Sequence, residues 1–94
     1  MSTNGVWGFK KGWKLKLQYI HWDSYPSVLG KAIVTYIKTH ILEDDFCRFE
    51  DDTYAHRAPF IEWRYLINLD TQSLFVLYHY EIIDETPLSE IRTM

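Results

Sequence analysis

Residues 60–83, FIEWRYLINLDTQSLFVLYHYEII, carry the plainest structural signal in the chain. Ile61, Trp63, Tyr65, Ile67 and Leu69 alternate with Glu62, Arg64, Leu66 and Asn68, the period of two that a half-buried strand requires. Asp70–Thr71–Gln72–Ser73 interrupts the alternation with residues suited to a tight turn. Beyond it Leu74, Val76, Tyr78, Tyr80 and Ile82 face one way, and Phe75, Leu77, His79, Glu81 and Ile83 the other. The stretch therefore reads as one antiparallel hairpin. Pro87 to Arg92 reads as a last helical turn.

Working back from the hairpin, Glu43 to Pro59 lacks a clean period and reads as an acidic connecting segment, an irregular loop or one short helical turn, with EDDFCRFEDD (43–52) placing six acids in ten residues. Before it lies a helix, Pro26 to Leu42. Asp23 or Ser24 supplies its N-cap, and Pro26 is tolerated in the first turn because its missing N–H has no partner there anyway. Val28, Leu29, Ala32, Ile33, Tyr36, Ile37 and Ile41 form its buried stripe, with Lys31, Thr35, Lys38 and Thr39 toward water. Trp13 to Trp22 alternates as a strand, and Val6 to Phe9 forms a short β-prone piece across a turn at Lys10–Lys11–Gly12. Together these make a first hairpin or one long strand with a ragged entry. Residues 1–5 read as a disordered start. The order β(β)αββ specifies an α+β fold: an antiparallel sheet of three to four strands with one main helix packed on one face.

The chain has 94 residues, which allows one domain, and 47% hydrophobic with 24% charged residues is ordinary for a globular one. Charge is unevenly placed. Residues 1–42 hold six Lys and one Asp, whereas residues 43–94 hold twelve acids and four Arg. A net charge of −3 argues against general nucleic-acid binding, which needs a basic footprint. The single cysteine, Cys47, rules out an internal disulfide. No apolar run suits a signal peptide or a membrane span, so a cytoplasmic address is expected.

The dense cluster of chemistry-bearing side chains is His21–Trp22–Asp23–Ser24–Tyr25–Pro26. His21 and Asp23 share one side of a strand end beside a helix start, where they could orient an imidazole, ligate a metal or frame a phosphate site. The structural alternative has Asp23 capping the helix, His21 satisfied in the strand and Trp22 in the core. Gly30, inside the helix stripe, points to close backbone packing against Trp22 or Trp63. Lys10, Lys11, Lys14 and Lys16, set among Trp7, Phe9 and Trp13, fit an edge strand kept soluble by lysine better than a nucleic-acid strip. Glu62, Arg64, His79 and Glu81 fall into cross-strand register as either a solvated face or a polar ligand site. The acidic block, with Asp44, Asp45, Asp51 and Asp52 around the aromatic anchors Phe46 and Phe49, is a candidate contact for a basic protein groove.

The strand–HWDSYP–xxxG–helix segment resembles a family of small bacterial and phage proteins built around H-W-D-G-Y-P followed by V/L-G, with a later I-E-Y-x-Y-x-I strand. The matching positions are His21, Trp22, Asp23, Tyr25, Pro26, Leu29 and Gly30, and then Ile61–Glu62–Trp63–Arg64–Tyr65–Leu66–Ile67. Ser24 departs from the family's Gly, which raises the expectation of a strained turn, since a positive φ is costly for Ser. The resemblance implies a phage or prophage origin and a bacterial host, and it carries no assigned activity.

Three functions compete. The leading one is a non-catalytic phage-type inhibitor that blocks or sequesters a host protein, with an antiviral defence component as one candidate, through the acidic and aromatic surface. The second is a nucleotide or small-molecule sponge in which Trp22, Tyr25 and Trp63 stack a base beside His21, Asp23 and the Pro26 helix start. The third is a small enzyme using His21 and Asp23, with Glu62 and a metal. No phosphate loop, Ser–His–Asp spacing or His-x-x-x-His helix is present, so no catalytic residue, metal or cofactor is assigned. Homo-oligomerisation through the hairpin edge is a further possibility.

Overall fold

A computed structural model describes residues 3–94, and the expectation for residues 1 and 2 lies outside them. Thr3 to Gly5 are ordered parts of the fold rather than a disordered start. Thr3 is buried, and the Asn4 carbonyl accepts from the N–H groups of Glu62 (3.0 Å) and Trp63 (3.4 Å).

The class is α+β, as the periodicity implies, but the sheet has five strands and is mixed. Strands β1 (Gly5–Lys11), β2 (Lys14–Ile20), β3 (Trp63–Asn68), β4 (Ser73–Tyr78) and β5 (Glu81–Pro87) lie in the order β2-β1-β3-β4-β5. Neighbours are antiparallel except β1 and β3, which run parallel from Gly5↔Trp63 to Lys10↔Asn68. A parallel pair needs a crossover, and the helical segment between β2 and β3 supplies it. β1 is therefore central. Its Val6 and Phe9 point to opposite faces and both are buried, so it lacks the alternation of a strand with one wet face. Gly8 belongs there for a steric reason: a Cβ at Gly8 would stand 1.8 Å from the Lys16 carbonyl oxygen on β2.

The expected long hairpin is two hairpins. The chain reverses at His79–Tyr80, so that Tyr78 pairs with Glu81, and His79 takes a positive φ of 54°. Alternation concealed this turn because His79 and Tyr80 continue the period of two without a Gly, Asn or Pro to mark a break. Ile83 is the extra residue of a bulge opposite Val76 and Leu77.

The expected single helix is also divided. Pro26–Gly30 form a wide π-type turn, closed by bonds to the Tyr25 carbonyl from the Val28 (3.0 Å) and Gly30 (3.3 Å) N–H groups. Helix α1 (Lys31–Thr39) follows and stops at His40, whose backbone is extended. Leu29, Ile33 and Ile37 are the buried stripe, while Ile41 is 69% exposed. The break lets a second helix, α2 (Leu42–Arg48), turn Leu42 and Phe46 into the same core. Of the two readings of the 43–59 stretch the helical one is nearer, and it carries more than one turn: α2 and a 3₁₀ turn, Thr53–His56. Helix α3 (Leu88–Arg92) is the expected last turn, and its Leu88 and Ile91 close the core, each contributing about 1.5–3 kcal/mol.

All three helices cover one face of the sheet, over Phe9, Tyr65, Ile67 and Leu74. A smaller cluster of Val6, Leu17, Ala55 and Ile61 occupies the other face, where the 3₁₀ turn covers only part of the sheet. No helix among the described residues is long and apolar enough to cross a membrane.

Candidate functional site

The HWDSYP segment follows β2 directly, and its organising residue is Ser24. This side chain is fully buried. Its N–H donates to Thr3 Oγ1 (2.8 Å), and its hydroxyl lies 2.8 Å from the Trp22 carbonyl and 3.2 Å from that of Thr3. Its own carbonyl accepts the Tyr65 hydroxyl at 2.7 Å. Burial raises the Tyr65 hydroxyl pKa well above its usual range, so it remains a donor. Ser24 does not have a positive φ, so the expected strain is absent. Neither Asp23 nor Ser24 caps the helix: Tyr25 holds the cap position, with no side-chain cap bond.

The proposed ligand residues do not converge. His21 is exposed and stacks on Tyr19, 6.3 Å between ring centroids. No hydrogen bond between His21 and Asp23 occurs among the described residues, and no group of three His, Cys, Asp or Glu there is placed to hold a metal ion. Trp22 and Tyr25 are exposed, while Trp63 packs against Tyr78 at 4.7 Å. A cavity of about 190 Å³ does open beside the helix start, but Pro26, Gly30, Val34, Tyr65, Val76 and Asp84 form its walls. The Asp84 carboxylate there opposes a phosphate. A Cβ at Gly30 would meet Pro26 and Tyr65, each at 3.5 Å, rather than Trp22 or Trp63.

Most of the acidic block is engaged within the fold. Glu43 accepts from Lys11 (2.8 Å), and Asp52 accepts from the Tyr54 N–H (2.9 Å). Asp45 accepts from the Tyr36 hydroxyl and from Arg48 (2.7 Å), and those two bonds hold its carboxyl below the usual range. Asp51 accepts from the Leu17 N–H (2.8 Å) and pairs with His56 (2.6 Å). Burial alone would raise the Asp51 carboxyl, but these bonds outweigh it and hold the group low. Asp44 and Glu50 keep carboxylates without a hydrogen bond among the described residues. Phe46 is 6% exposed, beneath the Lys16 ammonium at 4.5 Å, which removes its ring from any contact surface. Phe49 is half-buried against Trp7 (5.1 Å) and Phe9 (5.2 Å). Of the lysines, Lys10 bonds Asp70 (3.1 Å), Lys11 bonds Glu43, and Lys16 bonds the Phe46 carbonyl (2.7 Å).

One consequence concerns the sheet edges. β2 is an edge strand, but its centre is closed by the chain itself: Asp51 takes the Leu17 N–H, and the Asp52 N–H donates to the Leu17 carbonyl at 2.8 Å. These two bonds imitate a neighbouring strand. The opposite edge, β5, pairs only with β4. It carries Ile82 at 56% and Ile83 at 52% exposure, with Glu81, Asp84 and Glu85 also exposed. Residues 65–91 include five acids and no Lys or Arg, so no cation of that stretch offsets the edge. Sequence reasoning missed this edge because it missed the His79–Tyr80 turn. It also missed His56 and Arg57, which had no periodic or motif signal, and it placed Tyr80 in a continuous alternating strand; all three line a second-face cavity with Arg64. Comparison with known proteins finds no matching family model, curated protein or solved structure for this chain.

Proposed function

We propose that the protein is a non-catalytic binding protein that docks an extended, Lys- or Arg-bearing segment of a host protein along β5, blocking or sequestering it by occupancy. The observation that carries this reading is the asymmetry of the edges: the chain closes β2 with Asp51 and Asp52 and leaves β5 open, acidic and apolar. An open edge offers a partner strand main-chain hydrogen bonds, and its side chains supply selectivity. Ile82 and Ile83 provide the apolar contact, and Glu81, Asp84 and Glu85 the charge complement. The resemblance of the HWDSYP segment to small phage proteins accords with action on a host component in a bacterial cytoplasm.

The acidic contact expected at 43–52 moves, on this reading, to residues 81–85. The test is affinity capture from host lysate with the wild type and two variants, followed by mass spectrometry. Glu81→Lys/Glu85→Lys is expected to lose a partner that Asp44→Asn/Glu50→Gln retains, with both variants folded by circular dichroism. The opposite pattern would return the contact to the acidic helix and refute the β5 reading.

A further inference from the structure

We infer that the groove on the second face of the sheet is a binding site for a small organic anion with a flat apolar body. This rests on observations independent of the β5 edge. The groove encloses about 420 Å³, within the range of small-molecule sites. Its floor is made by Val6, Leu17, Ile61 and Leu66, contributed by three strands and the loop entering β3, and the first three are buried.

The rim is cationic. His56, Arg57 and Arg64 line it, and no Asp or Glu is among the lining residues. Arg64 is positioned in advance: it donates to the His79 carbonyl at 2.7 Å and to that of Ile61 at 3.4 Å, and its guanidinium lies 4.1 Å over the Tyr80 ring. A guanidinium has five N–H donors, so such bonding leaves donors for a ligand. Arg57 has no acid partner among the described residues. The one carboxylate that reaches the rim, Asp51 through His56, is also committed to the Leu17 N–H. The two arginine cations stand over an apolar floor with no carboxylate among the lining residues, and an anion there is less screened than one on open surface. The flat sheet floor and the planar Arg64–Tyr80 stack suit a ring, on which arginine and tyrosine pack well. A carboxylate or a phosphate would serve equally as the charged group.

The test uses four probes of similar size: benzoate, phenyl phosphate, benzyl alcohol and benzylamine. Binding is followed by amide chemical shifts and thermal unfolding of the full chain. Both anions, or one of them, should bind and shift the signals of residues 55–58, Arg64 and Tyr80; their relative affinity identifies the charged group. Benzylamine should not bind, and added salt should weaken the anions. Arg57→Glu should weaken anion binding by about tenfold or more, the equivalent of one strong contact. Arg57→Gln, with no added charge, should give a smaller loss and guards against misfolding of the first variant. Equal binding of benzyl alcohol, shifts confined to other residues, or no anion binding at millimolar concentration would each overturn the inference.

Discussion

Replacing Ser24 with Gly puts the reading of the HWDSYP segment to a quantitative test. If the turn needed a positive φ, as Gly at this place in the resembled proteins suggests, Ser24→Gly would relieve strain and raise stability. The geometry gives the opposite sign. Ser24 has no positive φ, is 0% exposed, and its hydroxyl lies 2.8 Å from the Trp22 carbonyl. Losing that bond in a buried place costs about 1–2 kcal/mol, because the carbonyl is left without its partner. Gly adds about 0.5–1 kcal/mol through the greater backbone freedom of the unfolded chain. Ser24→Ala should therefore lower stability by about 1–2 kcal/mol and Ser24→Gly by about 1.5–3 kcal/mol. For a chain of this size each kcal/mol moves the midpoint by about 4–8 °C. Urea and thermal unfolding followed by tryptophan fluorescence, with the two variants beside the wild type, measure both. A Ser24→Gly protein as stable as the wild type, or more so, would falsify the structural role given to this hydroxyl.

Gly8→Ala should prevent folding or destabilise by more than about 3 kcal/mol, since the new Cβ would sit 1.8 Å from backbone that cannot move without parting β1 from β2; circular dichroism decides, and a folded, stable variant contradicts it. Gly30→Ala should instead stabilise by about 0.4–1 kcal/mol, because its φ is helical and the Cβ would meet Pro26 and Tyr65 at ordinary contact distances of 3.5 Å. The carboxyls of Asp45, Asp51 and Asp70 are all held below the ordinary value of 3.8 in the folded state. Their stabilisation is therefore present above that value and is lost as pH falls through the lower folded values. Urea midpoints should decline steeply on acidification through this window, and Asp45→Asn should make the decline shallower.

Much of the fold was legible from spacing. The alternation over 61–69 marks a real strand because β3 pairs a wetter face with a buried one, and burial of one face imposes a period of two, whereas 74–78 is a strand whose burial falls off along its length instead of alternating. Leu29, Ile33 and Ile37 repeat at four because the π-type turn and α1 lay one stripe on the sheet. The misreadings share a cause. Alternation runs unbroken through His79–Tyr80, so a turn without Gly or Pro was invisible, and with it went the last strand. Phe46 lies among acids in sequence but beneath Lys16 and beside Phe9 in space, a proximity that no local pattern encodes.

The candidate site was less legible still. His21, Trp22 and Asp23 are consecutive, yet the chain exposes them, while buried Ser24, the next residue, ties the segment to Thr3 and Tyr65. Asp51 looked like surface charge, and its main partner is a backbone N–H on a strand 34 residues earlier.

By itself the sequence determined the class, the Leu29, Ile33 and Ile37 positions of the buried stripe and the lopsided charge, because these follow from local periodicity and composition; it left the first hairpin open against one long strand and placed Val28, Ala32 and Ile41, which are exposed, in the stripe. Tertiary structure alone decided that β1 is central and parallel to β3, that most of the acids at 43–52 are engaged within the fold, and that one sheet edge is closed while the other stays open. Those outcomes depend on which distant groups meet: a backbone N–H takes a carboxylate partner once folding brings the two within 3 Å, and an acid near in sequence but without such a partner remains on the surface.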